Sequence, residues 1–265
     1  REAARLRPTA EALTQLQSVL TGPLESAVLR GHADAVVTCR ACPSGEILLT
    51  VSVDRTALLW RKGGREKSAL RGHQDAILDA VWSPDGLRVL TVSSDKTARL
   101  WSGEAELLAV LEGHQGSVLS GAFSPDGQRI VTCSSDHTAR LWSQDGTPLL
   151  TLQGHKDAVN MVHFSADGKR ILTASKDRSA RLWSRTGEPL YILRGHTAAL
   201  SGGRFSPDGQ QVLTFSWDST ARLWSIGGTP GAMLCGHTDR INDGCFSPDG
   251  ASVLTMSRDH TARIW

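Results

Sequence analysis

The sequence predicts an all-β chain made of six repeats of one four-stranded antiparallel unit, and three regularities predict it. A Gly-His pair returns every 41 residues, at Gly31-His32, Gly72-His73, Gly113-His114, Gly154-His155, Gly195-His196 and Gly236-His237. Behind each pair stand, at fixed offsets, a threonine (Thr50, Thr91, Thr132, Thr173, Thr214, Thr255), an aspartate (Asp54, Asp95, Asp136, Asp177, Asp218, Asp259) and a tryptophan (Trp60, Trp101, Trp142, Trp183, Trp224, Trp265). Between His and Thr, five units carry a turn of Pro/Ala-Asp-Gly type, such as Pro84-Asp85-Gly86 and Ala166-Asp167-Gly168, and the first has Pro43-Ser44-Gly45. Such self-similarity marks stacked units, each too small to bury its own faces.

Each period divides into strands in order. In the turn, Pro presets φ, Asp bonds its own backbone and Gly takes positive φ freely. The stretches Arg129–Ser134 and Lys169–Ser175 are rich in apolar and β-branched residues and read as strands. A Ser-x-Asp-x-Thr/Ser turn follows, then Thr-Ala-Arg-Leu-Trp, unchanged at 97–101 and 138–142. Four strands fit one period with short connections. A forty-residue period opening on Gly-His and closing on Trp signals a β-propeller. Residues 1–25 differ: Thr9 caps a helical start, Leu13, Leu16 and Leu20 follow at helical spacing, and Gly22-Pro23 ends it. They read as a helical linker or the remnant of an upstream domain.

These residues resemble the WD-repeat family over about residues 26–265. The closing Trp-Asp of that family is Trp-Ser here, at Ser102, Ser143, Ser184 and Ser225, and Trp-Arg at Arg61. The resemblance implies an outer strand ahead of each Gly-His and three inner strands behind it. Units at 31–71, 72–112, 113–153, 154–194, 195–235 and 236–265 then form six blades, and strand 26–30 completes the last blade and closes the ring. Closure removes exposed sheet edges. Unit one is expected to be the loosest, because Ala41 replaces an aromatic and Leu58 the strand arginine.

A hydroxyl, an imidazole and a carboxylate also invite a nucleophile-base-orienter reading. The resemblance implies instead a buried chain in each blade: Trp donates to Thr, Thr to one His nitrogen, and the other His N–H to Asp. One such set per blade fits a framework better than a single active site. No cofactor or metal site is expected. Cys39-x-x-Cys42 reads as a packing pair without a second pair to complete a metal site, and His137, His163 and His260 read as surface or strand side chains.

Composition sets further bounds. Lys+Arg 29 against Asp+Glu 27 gives a net charge of +2 and no electrostatic case for a nucleic-acid partner. No run of eighteen apolar residues spans a membrane. Five cysteines without regular spacing point to reduced thiols and a cytoplasmic location.

The positions that vary between units are where a partner is expected, and the resemblance places them around the channel mouth. First-strand residues there are Val37, Leu78, Leu119, Asn160, Ser201 and Asn242; two residues earlier stand Ala35, Ala76, Ser117, Ala158, Ala199 and Arg240; before the turn Asp stand Val53, Ser94, Ser135, Lys176, Trp217 and Arg258. Aromatic and Arg anchors dominate interfaces, so Lys176, Trp217, Arg240 and Arg258 mark the expected hot spot. A protein or peptide partner would lay an apolar segment on Leu78 and Leu119 and an acidic group near Arg258; drift among duplicated loops, or Trp217 covering a neighbouring blade, would give the same pattern. The leading functional expectation is a non-catalytic, monomeric interaction scaffold. The short passage Glu11–His32 resembles the junction of large bacterial signalling proteins in which a P-loop NTPase switch precedes WD repeats, and implies a sensor or docking module of such a protein. The alternatives are a freestanding scaffold subunit and, third, a propeller hydrolase, against which the channel-mouth positions offer no Asp or Glu.

Overall fold

The computed structural model describes residues 28–61 and 65–265, and every regular element among them is a β-strand. Blade one comprises β1 (Val36–Ala41), β2 (Ile47–Ser52), β3 (Ala57–Arg61) and β4 (Arg65–Leu70); blade two β5 (Ile77–Trp82), β6 (Arg88–Ser93), β7 (Ala98–Ser102) and β8 (Leu107–Leu111). Blade three comprises β9 (Val118–Phe123), β10 (Arg129–Ser134), β11 (Ala139–Ser143) and β12 (Pro148–Leu152); blade four β13 (Val159–Phe164), β14 (Arg170–Ser175), β15 (Ser179–Ser184) and β16 (Pro189–Arg194). Blade five comprises β17 (Leu200–Phe205), β18 (Gln211–Ser216), β19 (Thr220–Ser225) and β20 (Pro230–Cys235); blade six β21 (Ile241–Phe246), β22 (Val253–Ser257) and β23 (Ala262–Ile264). Within each sheet the strands pair antiparallel in chain order.

The second strand of each blade shows why a run such as Val89-Leu-Thr-Val-Ser93 is apolar on both faces. Alternate side chains point to opposite sides of the sheet. Val89 therefore joins Leu49, Val51, Ala57, Leu59, Leu70 and Ile77 in the cluster between blades one and two. Its neighbours Leu90 and Val92 join Val118, Ile130 and Trp142 between blades two and three. The same pattern recurs down to Leu213 and Phe215 packed on Ile241 and Val253 between blades five and six. The core is thus a series of interblade layers.

Two glycine positions are fixed by geometry. Gly86 closes its turn at φ +70°, donating to Ser83 O at 2.9 Å. Gly72 of the Gly-His pair sits at φ +140°, and a Cβ there would lie 2.5 Å from Arg99 Nη1. The strand arginine therefore occupies the space that a side chain at this position would need.

The described residues do not show the expected closure of the ring at the two ends of the array. Blade six has three strands among the described residues. Of the segment expected to supply the fourth, Val28–Arg30 form no strand, and Ser26 and Ala27 lie outside the described residues, as does the helix expected around Thr9–Leu20. Each first strand packs on the next, from β1 on β5 to β17 on β21, with no comparable packing of β21 on β1. The exposures follow: Val36 is 53 % exposed where Ile77 is 0 %, and Met256 is 42 % exposed where Phe215 is 0 %. Ala41 and Cys39 on β1 are exposed as well.

Truncating the buried Leu100 to alanine is expected to cost about 2–5 kcal/mol in a urea melt, since it opens a cavity in an interblade layer. Ile264→Ala, on the exposed face of blade six, is expected to change stability by less than about 0.5 kcal/mol.

Candidate functional site

In every blade a chain of side-chain hydrogen bonds joins the four recurring residues. Trp Nε1 donates to Thr Oγ1 at 2.8–2.9 Å, in Trp60–Thr50, Trp101–Thr91, Trp142–Thr132, Trp183–Thr173, Trp224–Thr214 and Trp265–Thr255. The same Thr oxygens lie 2.8–2.9 Å from Nε2 of His32, His73, His114, His155, His196 and His237. Each His Nδ1 lies 2.7–3.0 Å from Oδ2 of Asp54, Asp95, Asp136, Asp177, Asp218 or Asp259. Indole can only donate and ionised carboxylate only accept, so the Thr proton goes to Nε2 and Nδ1–H goes to Asp.

The Asp does more than hold the imidazole. Its Oδ2 also accepts the backbone N–H of the residue after His, as from Gln115 at 2.9 Å in blade three. Its Oδ1 accepts two more bonds from the next-but-one residue, as from Thr138 N at 2.9 Å and Thr138 Oγ1 at 2.6 Å. Burial alone would raise the Asp136 carboxyl, but Thr138, Gln115 and His114 together hold it down at about 2. Burial lowers the imidazoles of His73 and His114 and keeps them neutral, against the pull of their aspartates. In blades two to six the Thr hydroxyl is 0 % exposed beneath its tryptophan. The buried hydroxyl is thus held inside the hydrogen-bond chain of its blade.

The variable positions gather at the opposite end of the sheets from the Pro-Asp-Gly turns. Val37, Leu78, Leu119, Asn160, Ser201 and Asn242 are each the extra residue of a β-bulge at the entry of the first strand. A bulge re-aims a side chain off the sheet. The other two positions are tied together in every blade: the backbone N–H of Val53, Ser94, Ser135, Lys176, Trp217 and Arg258 donates to the carbonyl of Ala35, Ala76, Ser117, Ala158, Ala199 and Arg240 at 2.9–3.1 Å. One backbone bond per blade thus sets two variable side chains side by side.

These residues divide in role. Trp217 is 41 % exposed. Arg240 Cζ lies 4.8 Å and Lys176 Nζ 5.9 Å from its ring centroid, one cation from each neighbouring blade. Arg258 and Asn242 are exposed, and Leu78 and Leu119 half-buried. Asn160 and Ser201 instead clasp the next blade: Asn160 Nδ2 donates to Leu200 O at 2.8 Å and Ser201 Oγ to Ile241 O at 2.5 Å.

Past the bulge, each first strand carries one further polar residue that meets those of other blades, and these the sequence reading missed. They are Arg40, Asp79, Ser120, His163, Arg204 and Asp243, one per blade. Acidic side chains therefore do occupy the channel, although none stands at the mouth positions. Their partners are basic: Asp79 Oδ1 lies 3.6 Å from Arg40 Nη2, and Asp243 Oδ1 3.3 Å from Arg204 Nη2. His163 leaves the default of a lone strand side chain and meets Arg204 Nη1 at 3.1 Å through Nε2. The signal that could have found this belt is the phase shift each bulge imposes on the inward-outward alternation. Among the described residues no group of His, Cys, Asp or Glu could hold a metal ion, and all five cysteines are free.

Asp136→Ala is expected to destabilise the fold by about 1–3 kcal/mol, because it orphans the N–H groups of His114 and Gln115. A lowered melting temperature checks it. Stability is also expected to fall with acid. The depressed imidazoles of His73 and His114 bind protons more readily in the unfolded chain, so loss begins as pH drops below 6.5. The depressed carboxyls of Asp54 and Asp136 add to it between 3.8 and about 2. A melting-temperature series from pH 8 to 2 should show a plateau above neutrality and a continuous decline below it.

The family model for WD domain, G-beta repeat matches residues 24–61, 64–102, 105–143, 146–184, 187–225 and 228–265. Each matched unit is staggered against the sheets: residues 64–102 run from β4 of blade one through β5, β6 and β7 of blade two. None of the curated proteins matches the chain. Six matches covering almost the whole chain place it in the WD-repeat family, and repeats of this family generally serve as protein-interaction scaffolds.

Proposed function

We propose that this chain is a non-catalytic scaffold that docks a protein or peptide partner on the bulge-lined face, centred on Trp217. The observation that carries the proposal is a tryptophan left 41 % exposed yet flanked by two cations from neighbouring blades. A cation above an aromatic face orders both groups before a partner arrives, which lowers the entropy lost on binding. Arg and Trp are also the residue types that carry most interface energy. The partner we infer lays an apolar segment over Leu78 and Leu119 and brings an acidic group to Arg240 and Arg258. Leu78 and Leu119 lie on blades two and three, the cations on blades four and six, so the segment crosses the mouth of the ring.

The wider role we propose is the sensor or docking module of a larger bacterial signalling protein, with the propeller itself monomeric and cytoplasmic, binding neither nucleic acid nor membrane. Five free cysteines support a reducing compartment. Coding sequence upstream tests the wider role: an in-frame NTPase switch supports it, and a freestanding reading frame favours a scaffold subunit of a multiprotein complex.

Pulldown from the source organism's lysate tests the face. Trp217→Ala with Arg258→Glu is expected to reduce recovery of specific partners about tenfold or more, while the melting temperature stays within a few degrees. Raising the salt should weaken recovery as well, because the cations are solvent-exposed. Equal recovery by wild type and variant would remove this face from consideration.

A further inference from the structure

At the other end of the ring the channel opens into a cavity of about 310 Å³, lined among others by His163, Phe164, Arg204, Phe205, Cys245 and Phe246. That size lies at the low end of small-molecule sites, which pair an apolar lining with a few convergent polar groups. Three phenylalanines supply the apolar lining, and Arg204 and His163 supply the polar groups. The cavity also touches Ala166, Ser206 and Pro207 of the Asp-Gly turns, so it faces away from Trp217.

The hydrogen bonding of Arg204 leaves it able to take a ligand. Nε donates to Gly244 O at 3.2 Å, Nη1 to His163 Nε2 at 3.1 Å and Nη2 to Asp243 Oδ1 at 3.3 Å. A guanidinium carries five N–H groups, so two remain. Burial and the nearby Arg204 and Arg40 push the His163 imidazole down to about 3, so the ring is neutral. With Nε2 accepting, its Nδ1 carries a proton and is a further donor. Burial pushes the Asp79 carboxyl up, and Arg40 and Arg204 act against that rise. Arg40 and Arg204 are thus each paired with one carboxylate, Asp79 and Asp243, and what Arg204 and His163 have left for a ligand at the aromatic-lined cavity is their unused N–H groups.

We propose that this mouth binds a small monocarboxylate with an aromatic body, its carboxylate on Arg204 and its ring among Phe164, Phe205 and Phe246. The site is separate from the docking face and stands or falls independently of it.

Cys245 is exposed and lines the cavity, so it reports on the site in the intact protein. Cys235, exposed on the outer strand β20, is the reference within the same molecule. The alkylation rates of both thiols are read by peptide mass spectrometry with anionic iodoacetate and with neutral iodoacetamide. The iodoacetate-to-iodoacetamide ratio is expected to be about fivefold higher at Cys245 than at Cys235, and to fall to the Cys235 value in Arg204→Met. Millimolar 3-phenylpropanoate should slow labelling of Cys245 about threefold or more and leave Cys235 alone, while 3-phenylpropanamide should protect neither. Equal ratios at the two cysteines, absence of protection by the acid, or equal protection by the amide would each overturn the proposal. These wild-type comparisons decide the matter even where Arg204→Met fails to fold.

Discussion

One carboxylate per blade ties together segments that would otherwise have no reason to meet. Asp136 accepts from His114 at the loop entering the blade, from the Gln115 backbone beside it, and twice from Thr138 at the start of the third strand. Through His114 and Thr132 the same carboxylate is linked to Trp142 in the third strand. Four acceptor sites are thus filled by four donors, which is what makes a buried charge tolerable without a cationic partner. Because His114 is neutral, the tie is a hydrogen-bond network rather than an ion pair. Its strength then depends on every donor being present at once.

That tie has a consequence for binding. The loop entering each blade and the turn after its second strand are locked to each other, by the Asp and by the backbone bond between their variable residues. Side chains at those positions can change from Ala to Arg, or from Ser to Trp, without altering the backbone that presents them. Blades five and six use this freedom to bring Arg240 to 4.8 Å from the Trp217 ring. Rigid loops holding variable residues are a general way for a scaffold to carry function on connections. The framework residues are consumed by the fold, and what remains available for recognition is what differs between blades.

Much of this was legible in the sequence because the period itself carries it. A fixed register places every His, Thr, Asp and Trp in equivalent surroundings, so one blade read correctly is six blades read correctly. Repeat register also located the bulge residues, although it could not separate Asn160 and Ser201, which clasp the next blade, from Asn242, which is exposed. That difference lies in what stands across the gap, and no local pattern encodes it. The channel belt escaped for a related reason. Arg40, Asp79, His163, Arg204 and Asp243 look like drift within their own units, and they make sense only as neighbours across the ring. A charge at one blade is answered from another blade, a long-range pairing invisible to any window of a single repeat.

The seam between blades six and one exposes the same dependence on neighbours. The outward face of blade six carries Leu254, Met256, Ala262 and Ile264, position for position the residues that Leu213, Phe215, Ala221 and Leu223 occupy in blade five. In blade five they form an interblade layer with Ile241 and Val253. In blade six Ile264 is 77 % exposed, and across the seam Val36 and Leu48 are 53 % and 39 % exposed. Composition alone therefore does not bury a residue in this fold. An apolar face contributes to stability only when the following first strand lies on it, and so each layer belongs to a pair of blades and to neither alone. Asn242 is exposed, whereas its counterparts Asn160 and Ser201 both donate to a carbonyl on the next first strand.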